Sequence, residues 1–171
     1  PTQVTICYSS VSTGQNGSVI ASSVTNTTVP STPCVNAASS CPGGVGDIEE
    51  WVYETIVTLP GPAVDWIFSW ADCCRNGAIT TLQPNGMYIS ALLDNVNAPT
   101  NSSPSFLNLA YTRFCVGNQF YYDQGATDID GDSLVFTLVT AEDGGFGCPN
   151  TSFPNTYIAP YSPTNFLASS I

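Results

Sequence analysis

Residues 65–74 read DWIFSWADCC, a segment whose side chains alternate in character along the chain. Residues two apart in an extended backbone point to the same side, so Trp66, Phe68 and Trp70 would share one face. The opposite face would carry an aspartate, an isoleucine and a serine. This alternation predicts a β-strand with an aromatic face that belongs to the core or to the edge of a sheet.

Short β-rich segments separated by turn residues surround this stretch on both sides. The predicted strands are QVTICYSSV, GSVIASSVTNTTV, EEWVYETIVTLP, a hairpin AITTLQPNGMYISALL, RFCVGNQFYYD and SLVFTLV. No segment shows a helical pattern, and the prolines of the C-terminal tail favour an extended or meandering path. The sequence therefore predicts an all-β fold, an antiparallel Ig-like or cadherin-like β-sandwich with long disulfide-stapled loops.

Two regions differ in composition. Residues 1–44 are rich in Ser and Thr, and we expect a β arm there or a part of the sandwich. Within this arm QVTICYSSV is a candidate edge strand that could pair with a neighbouring subunit's sheet. Residues 45–171 form the predicted β-sandwich module, which we expect to be incomplete at its C-terminus, and the start at Pro1 indicates a mature, processed segment.

The charge balance excludes several classes of partner. The chain has 13 acidic residues against two basic ones, Arg75 and Arg113, and its formal net charge is −11. This balance argues against nucleic-acid binding, which depends on Lys and Arg contacts to phosphate, and against docking on anionic lipid. No apolar run approaches the length of a membrane span.

Catalysis has little support in the composition. The chain contains no histidine and no lysine, so it has no Ser-His-Asp or Cys-His arrangement, no Schiff base and no Ser-Lys dyad. A carboxylate pair for glycoside hydrolysis is the catalytic arrangement that remains. We therefore predict that the protein is not an enzyme.

The cysteine count indicates an oxidising compartment. The candidate half-cystines are Cys7, Cys34, Cys41, Cys73, Cys74, Cys115 and Cys148. An odd number leaves at least one thiol free or paired outside the chain, and a zinc site is disfavoured because there is no CxxC pair and no histidine. Cys34 and Cys41 bracket a short loop that a local disulfide could close.

Cys73 and Cys74 are adjacent and would point to opposite faces of an extended backbone. A redox-active vicinal pair is one interpretation. We favour structural cysteines with separate partners, or one bridge and one buried thiol, because reactive cysteines need electropositive surroundings. The neighbouring Arg75 would pair with a carboxylate or donate to carbonyl groups.

Residues 126–138 read ATDIDGDSLVFTL and contain three aspartates, at alternate positions, that lead into a strand-like pattern. One uninterrupted strand would aim these carboxylates into the layer that buries Leu134, Phe136 and Leu138, which is too costly for unpaired charges. Gly131 offers the necessary break, because glycine reaches backbone conformations that other residues avoid.

A hard divalent cation would relieve the repulsion among these carboxylates, since calcium takes six to eight oxygen ligands. The candidate calcium ligands are Asp128, Asp130 and Asp132, with further ligands from Asp123, Asp143 or the stretch GDIEE. The run is not an EF-hand, because Ser133 stands where its glycine belongs and Val139 where its glutamate belongs. A solvated acidic turn at a sheet edge is the alternative.

A series of motifs over roughly residues 45–167 resembles a repeat region of large secreted Bacteroidota surface proteins. The motifs are VYETIVTLPGPAVDWIFSWADCCRNGAITTL, NSSPSF, FCVGNQFYYDQGATDIDGDSLVFTLV and YIAPYSPTNFL. Such proteins often carry gliding-motility-associated or type IX sorting domains. The piece ATDIDGDSLVF is also similar to cadherin-like and tandem Ig-like adhesin repeats, where such aspartates bind calcium.

The sequence departs from this family at two places. Ala63 and Val64 stand where the family often has a cysteine just before the DW pair, which would leave Cys73 or Cys74 without its partner. The family's segment also usually continues past the YSxTNxL motif, whereas this sequence stops at Ile171. We therefore expect a piece of a longer polypeptide, with a final strand missing or supplied by a neighbour.

Together these features predict a secreted, extracellular module of the cell surface with a structural or adhesive role. It would be a building block of a fibre (filament), sheath or giant adhesin, rigidified by calcium and disulfides. Its partners would be copies of itself or neighbouring modules of the same polypeptide. The alternative is a carbohydrate-binding module of a secreted protein, in which exposed aromatics such as Trp51 stack on surface glycans.

Overall fold

The computed structural model describes residues 1–29, 48–75, 77, 79–108 and 121–165. Several sequence predictions fall outside these residues: Cys34, Cys41 and their proposed bridge, Cys115, Arg113, most of the predicted strand RFCVGNQFYYD, and the predicted boundary between residues 44 and 45. The described residues contain no helix with the length and apolarity that a membrane crossing requires.

The described strands are nine in number. They are β1 (Gln3–Ser10), β2 (Gln15–Val29), β3 (Ile48–Glu54), β4 (Trp66–Asp72), β5 (Met87–Leu93), β6 (Ser105–Phe106), β7 (Ala126–Thr127), β8 (Glu142–Gly144) and β9 (Ser152–Pro154). The longer strands form one five-stranded sheet in the order β3-β2-β1-β4-β5, while β6-β7 and β8-β9 form two-stranded ribbons. The predicted all-β class is confirmed, and the finer sandwich arrangement stays a prediction.

The chain divides into two compact units. The first contains Pro1–Ser22, Thr55–Thr100 and Phe136–Ser170, and the second contains Ser23–Glu54 and Asn101–Val135. The first unit therefore holds β1, β4, β5 and the β8-β9 ribbon, and the second holds β3 and the β6-β7 ribbon.

β1 lies inside the sheet. It pairs antiparallel with β2 from Gln3 to Ser10, and on its other side Cys7 to Ser10 pair antiparallel with β4. The prediction of an edge strand at QVTICYSSV is therefore wrong for residues 7–10, whose backbone lies between β2 and β4, while the described ladders pair residues 3–6 with β2 alone.

The turn between β1 and β2 explains how this hairpin closes. The ladder ends at the pair Ser10 and Gln15, and Gly14 has a φ of 68° just before β2 begins. This left-handed conformation costs glycine little and other residues more. The turn-like stretch TGQNGS at residues 13–18 predicts a turn slightly later in the chain: only its first two residues lie in the observed turn at residues 11–14, and the other four belong to β2.

The aromatic face predicted for β4 is present. Trp66 is fully buried, the Tyr8 ring from β1 meets it edge-on with centroids 5.9 Å apart, and Tyr8 also lies 6.4 Å from the Phe68 ring. The indole Nε1–H of Trp66 donates to the carbonyl of Gly61 (3.1 Å), so its polar atom is satisfied in the interior.

The β8-β9 ribbon packs on the other face of this sheet. Gly144 of β8 lies so close to the Cβ atoms of Ala71 and Tyr88 that a side chain there would collide with them. Cys7, 3% exposed, points to this same face and is bonded to Cys148 in the loop between β8 and β9. One covalent bond therefore joins the ribbon's loop to the middle of the sheet.

Candidate functional site

The aspartate run forms a loop held by its own backbone. Oδ1 of Asp128 accepts hydrogen bonds from the backbone N–H groups of Asp130 (2.9 Å) and Asp132 (3.2 Å). Gly131 adopts a φ of 83°, which breaks the extended conformation at the residue where the sequence analysis expects a break. The three carboxylates therefore do not continue the alternation of a strand.

A second contact anchors the loop to another segment of its unit. Oδ2 of Asp130 accepts a hydrogen bond from the backbone N–H of Ser102 (2.6 Å). The ribbon next to it pairs Ser105 with Thr127, which holds the two segments side by side. Asp130 and Asp132 are exposed and Asp128 is half-buried, so the loop presents negative charge to solvent.

The described ranges contain no group of three Asp, Glu or Cys side chains placed to hold a metal ion. In Asp128 and in Asp130, one carboxylate oxygen already accepts hydrogen bonds from backbone N–H groups. Asp123, a suggested further ligand, accepts a hydrogen bond from the N–H of Gly125 (2.9 Å). Calcium would have to draw the carboxylates together around itself. A calcium site at Asp128, Asp130 and Asp132 stays a prediction.

The strand predicted after this loop is not observed. Residues 133–140 belong to none of the described strands. Phe136 and Leu138 are 60% and 65% exposed, so the premise that this face is buried is wrong for both side chains. Their alternation reflects β propensity, which without a pairing partner does not make a strand.

Two disulfides lie among the described residues. Cys7 is bonded to Cys148, 141 positions away, and Cys73 is bonded to its neighbour Cys74. The second bridge differs from the separate partners that we favoured for the adjacent cysteines. A strand would hold neighbouring side chains on opposite faces, and β4 ends at Asp72, just before this pair.

Arg75 makes the contacts expected of a structural cation. Its Nε–H donates to the carbonyl of Gly86 (3.1 Å), and its Nη2 donates to the carbonyl of Glu142 (2.8 Å). The guanidinium thus joins the start of β5 to β8. Of the two roles proposed from the sequence, donation to carbonyl groups is the one observed.

A carboxylate clamp at Asp65 has no counterpart in the sequence predictions. Its Oδ1 accepts from the hydroxyls of Ser10 and Ser12 (2.6 Å each), and its Oδ2 accepts from the backbone N–H of Ser12 (2.8 Å). These bonds lower the pKa of Asp65 from 3.8 to about 2, and the bond from Ser10 has the largest effect. An acid this strong is ionised at neutral pH, which suits a fixed anchor and not a general acid.

No local signal in the sequence could have revealed this clamp. Ser10 and Asp65 are 55 positions apart, and serines are frequent in this chain. The strand pairing of β1 with β4 brings the two residues together.

The alternative site at Trp51 has a defined geometry. Trp51 and Tyr53 alternate along β3, and their rings stack 6.4 Å apart with an interplanar angle of 14°. The indole Nε1–H of Trp51 donates to a carboxylate oxygen of Glu49 (3.0 Å). Two half-buried rings and one carboxylate therefore share a face of β3.

Comparison with known proteins yields no relative. The chain matches no protein-family model, no curated protein and no solved structure.

Proposed function

We propose that this chain is an extracellular structural or adhesive module, a building block of a cell-surface fibre, sheath or giant adhesin. The observation that carries the proposal is the disulfide between Cys7 and Cys148. Disulfides persist in oxidising compartments and are rare where thiols are kept reduced. In this chain the bond joins an internal strand of the sheet to a loop that is distant in sequence.

The position of this bond suits a module that carries tension. A pull on the N-terminal strand would be opposed by the ladders that β1 makes with β2 and β4, and by the covalent link at Cys7. The strand would have to shear two ladders at once, which involves more simultaneous hydrogen bonds than peeling an edge strand. The Asp65 clamp at the end of β1 adds charge-assisted hydrogen bonds to the same junction.

Calcium is part of the proposal through the acidic loop. Three carboxylates lie within five residues, and no basic residue is near them in the sequence. Binding of a divalent cation would remove their mutual repulsion and stiffen the loop that follows β7. Removal of calcium would then loosen this loop and leave the disulfide-linked sheet folded.

Localisation and imaging of the native protein test this function. Gold-labelled antibodies against the chain, applied to intact source cells, are expected to decorate surface fibres or a sheath at regular intervals in electron micrographs. A strain that lacks the gene is the control, and it should lose both the label and the structures. Label confined to the cell interior would contradict the proposal.

The second candidate is a carbohydrate-binding module, which the stacked Trp51 and Tyr53 rings favour. Aromatic faces stack on sugar rings, and Glu49 would accept hydrogen bonds from sugar hydroxyls beside them. A glycan array probed with the wild type and with Trp51→Ala tests this candidate. Glycan binding that is lost in the variant would favour it, and an array without any bound glycan would reject it.

A further inference from the structure

Among the described residues, β5 forms an edge of the five-stranded sheet. It stands last in the strand order, and no strand of the described residues pairs with its outer side. Ile89 and Leu92, which point to opposite faces, are 60% and 72% exposed. An edge of this kind presents a row of backbone N–H and C=O groups to another strand.

This edge lacks the features that usually prevent pairing. The sequence MYISALL contains no proline, no glycine and no charged residue. Its ladder with β4 runs without a bulge from the pair Trp66 and Leu93 to the pair Asp72 and Met87. Proteins commonly protect exposed edges with lysine, proline or bulges, so an unprotected edge of seven residues indicates a binding site.

An apolar groove lies beside the edge on one face. It has a volume of about 210 Å³, and its apolar lining includes Ile6, Phe68, Trp70 and Ile89. Ile89 lies opposite Trp70, and Ala91 opposite Phe68, so the groove continues to the rim of β5. Alternate side chains of an added strand would extend this apolar surface.

The charges around the edge distinguish between possible occupants. At the Met87 end lie Asp72 and Glu142, which outnumber the single positive charge of Arg75, while Asp143 beside Gly86 is buried. At the other end Asp94 directly follows Leu93. Hydrogen bonds from Asn97 lower the pKa of Asp94, and the bond from the backbone N–H of Asn97 has the largest effect. This carboxylate is therefore ionised at neutral pH.

These charges disfavour a second copy of the chain. An antiparallel pair of two β5 strands would bring Asp94 of each copy to the acidic end of the other, and a parallel pair would bring like ends together. Each copy also carries a net charge of −11. Like charges placed opposite one another across a strand pair destabilise it.

We propose that the outer edge of β5 binds an extended segment of another polypeptide, about seven residues long, whose centre is apolar and whose ends carry lysine or arginine. The backbone of the segment would continue the sheet, its alternate apolar side chains would lie against the Ile89 and Trp70 face, and its basic ends would meet the carboxylates at both ends of β5. The inference names a partner for the structural module and rests on that proposed function only for its biological setting.

Titration of the purified chain with fluorescent peptides tests this inference. One peptide of about eight residues alternates valine and threonine between terminal lysines, and its matched partner has glutamates in place of the lysines. We expect the lysine peptide to bind at least about tenfold more tightly at low salt, and added salt to narrow the difference. Equal affinity for both peptides, or no binding of either, would overturn the inference.

A variant locates the binding site. Ile89→Lys places a cation in the groove and is expected to weaken binding of the lysine peptide by about tenfold or more. Val11→Lys, at an 84% exposed apolar residue of the β1-β2 turn, is the matched control and should leave the affinity unchanged. Circular dichroism and thermal unfolding of both variants show whether the fold is kept. Equal weakening by the two folded variants would overturn the placement on β5.

Sedimentation of the chain alone tests the competing occupant. A monomer over the accessible concentration range is expected, whereas a dimer that Ile89→Lys abolishes would overturn the inference in favour of self-pairing. These outcomes are separable from the proposed function. A chain that decorates surface fibres yet binds neither peptide would reject only the partner proposed for β5.

Discussion

The hydroxyl of Ser10 donates to Oδ1 of Asp65 over 2.6 Å, which ties the last residue of β1 to the residue just before β4. Ser10 is 3% exposed, and Ser12 adds two further bonds to the same carboxylate. Three donors on one carboxylate stabilise its ionised form. The corner where the β1-β2 hairpin meets β4 is therefore held by a negative charge.

We expect this carboxylate to make the protein less stable in acid. The pKa of Asp65 is lowered to about 2 in the folded chain from 3.8. Its contribution to the free energy of unfolding is fully present above 3.8 and is lost as the pH falls through about 2. Urea midpoints of the wild type and Asp65→Asn should differ most near neutral pH and converge in acid. A difference that stays constant with pH would contradict this assignment.

The bridge between Cys7 and Cys148 is expected to dominate the covalent stabilisation of the fold. Replacing both cysteines by alanine should lower the free energy of unfolding by about 2–5 kcal/mol, because the bridge closes a long loop in the unfolded chain. Guanidinium unfolding without reductant measures this change. Replacing Cys73 and Cys74 by alanine is the control, since a bridge between neighbours closes almost no loop. Equal effects of the two double variants would contradict the prediction.

Close packing of Tyr8 over Gly17 makes this glycine sensitive to substitution. A Cβ atom at Gly17 would collide with the phenol ring of Tyr8. Gly17→Ala should therefore displace the ring from Trp66 and lower the free energy of unfolding by about 1–3 kcal/mol. Gly61→Ala is the matched control, because a Cβ there meets no atom within 4 Å. Thermal unfolding that ranks the two variants in the opposite order would refute the packing argument.

Calcium should raise the melting temperature if the acidic loop binds it. At about 100 times its Kd, calcium would add about 2.7 kcal/mol to the free energy of unfolding relative to EGTA. Asp130→Asn keeps an amide oxygen that accepts from the N–H of Ser102 but removes the negative charge, so the difference in melting temperature between calcium and EGTA should vanish in this variant. Glu54→Gln, at an exposed residue of β3, is the control and should keep the difference. Superimposable wild-type curves in calcium and EGTA would exclude the site.

Local patterns were sufficient for β4 and its faces but not for every strand. Residues 133–140 form none of the described strands, and β5 pairs with β4 and not within the hairpin predicted at AITTLQPNGMYISALL. The alternation around Trp66 predicted β4 and its aromatic side, and the turn residues before β2 predicted the hairpin, because both depend on neighbouring residues. The neighbours of β1 were not predictable in this way. Its pairing with β4 joins residues about 60 positions apart, so nothing in QVTICYSSV distinguishes an internal strand from an edge.

The same dependence on distant segments explains why the candidate sites were only partly predictable from the sequence. The break at Gly131 was predictable from the residue type, because glycine tolerates a positive φ, and the loop adopts it. The exposure of Phe136 and Leu138 did not follow, because burial depends on which other segments pack there. The clamp on Asp65 likewise exists only after β1 and β4 have paired.

The bond between Cys7 and Cys148 turns 141 positions of chain into a closed ring. A protease that cuts one peptide bond inside this ring releases no fragment, because both new ends remain attached through the two sulfur atoms. The nicked molecule would run as a single band in electrophoresis until a thiol reagent separates its pieces. Because of this disulfide, a single cut between Cys7 and Cys148 does not release any part of the chain.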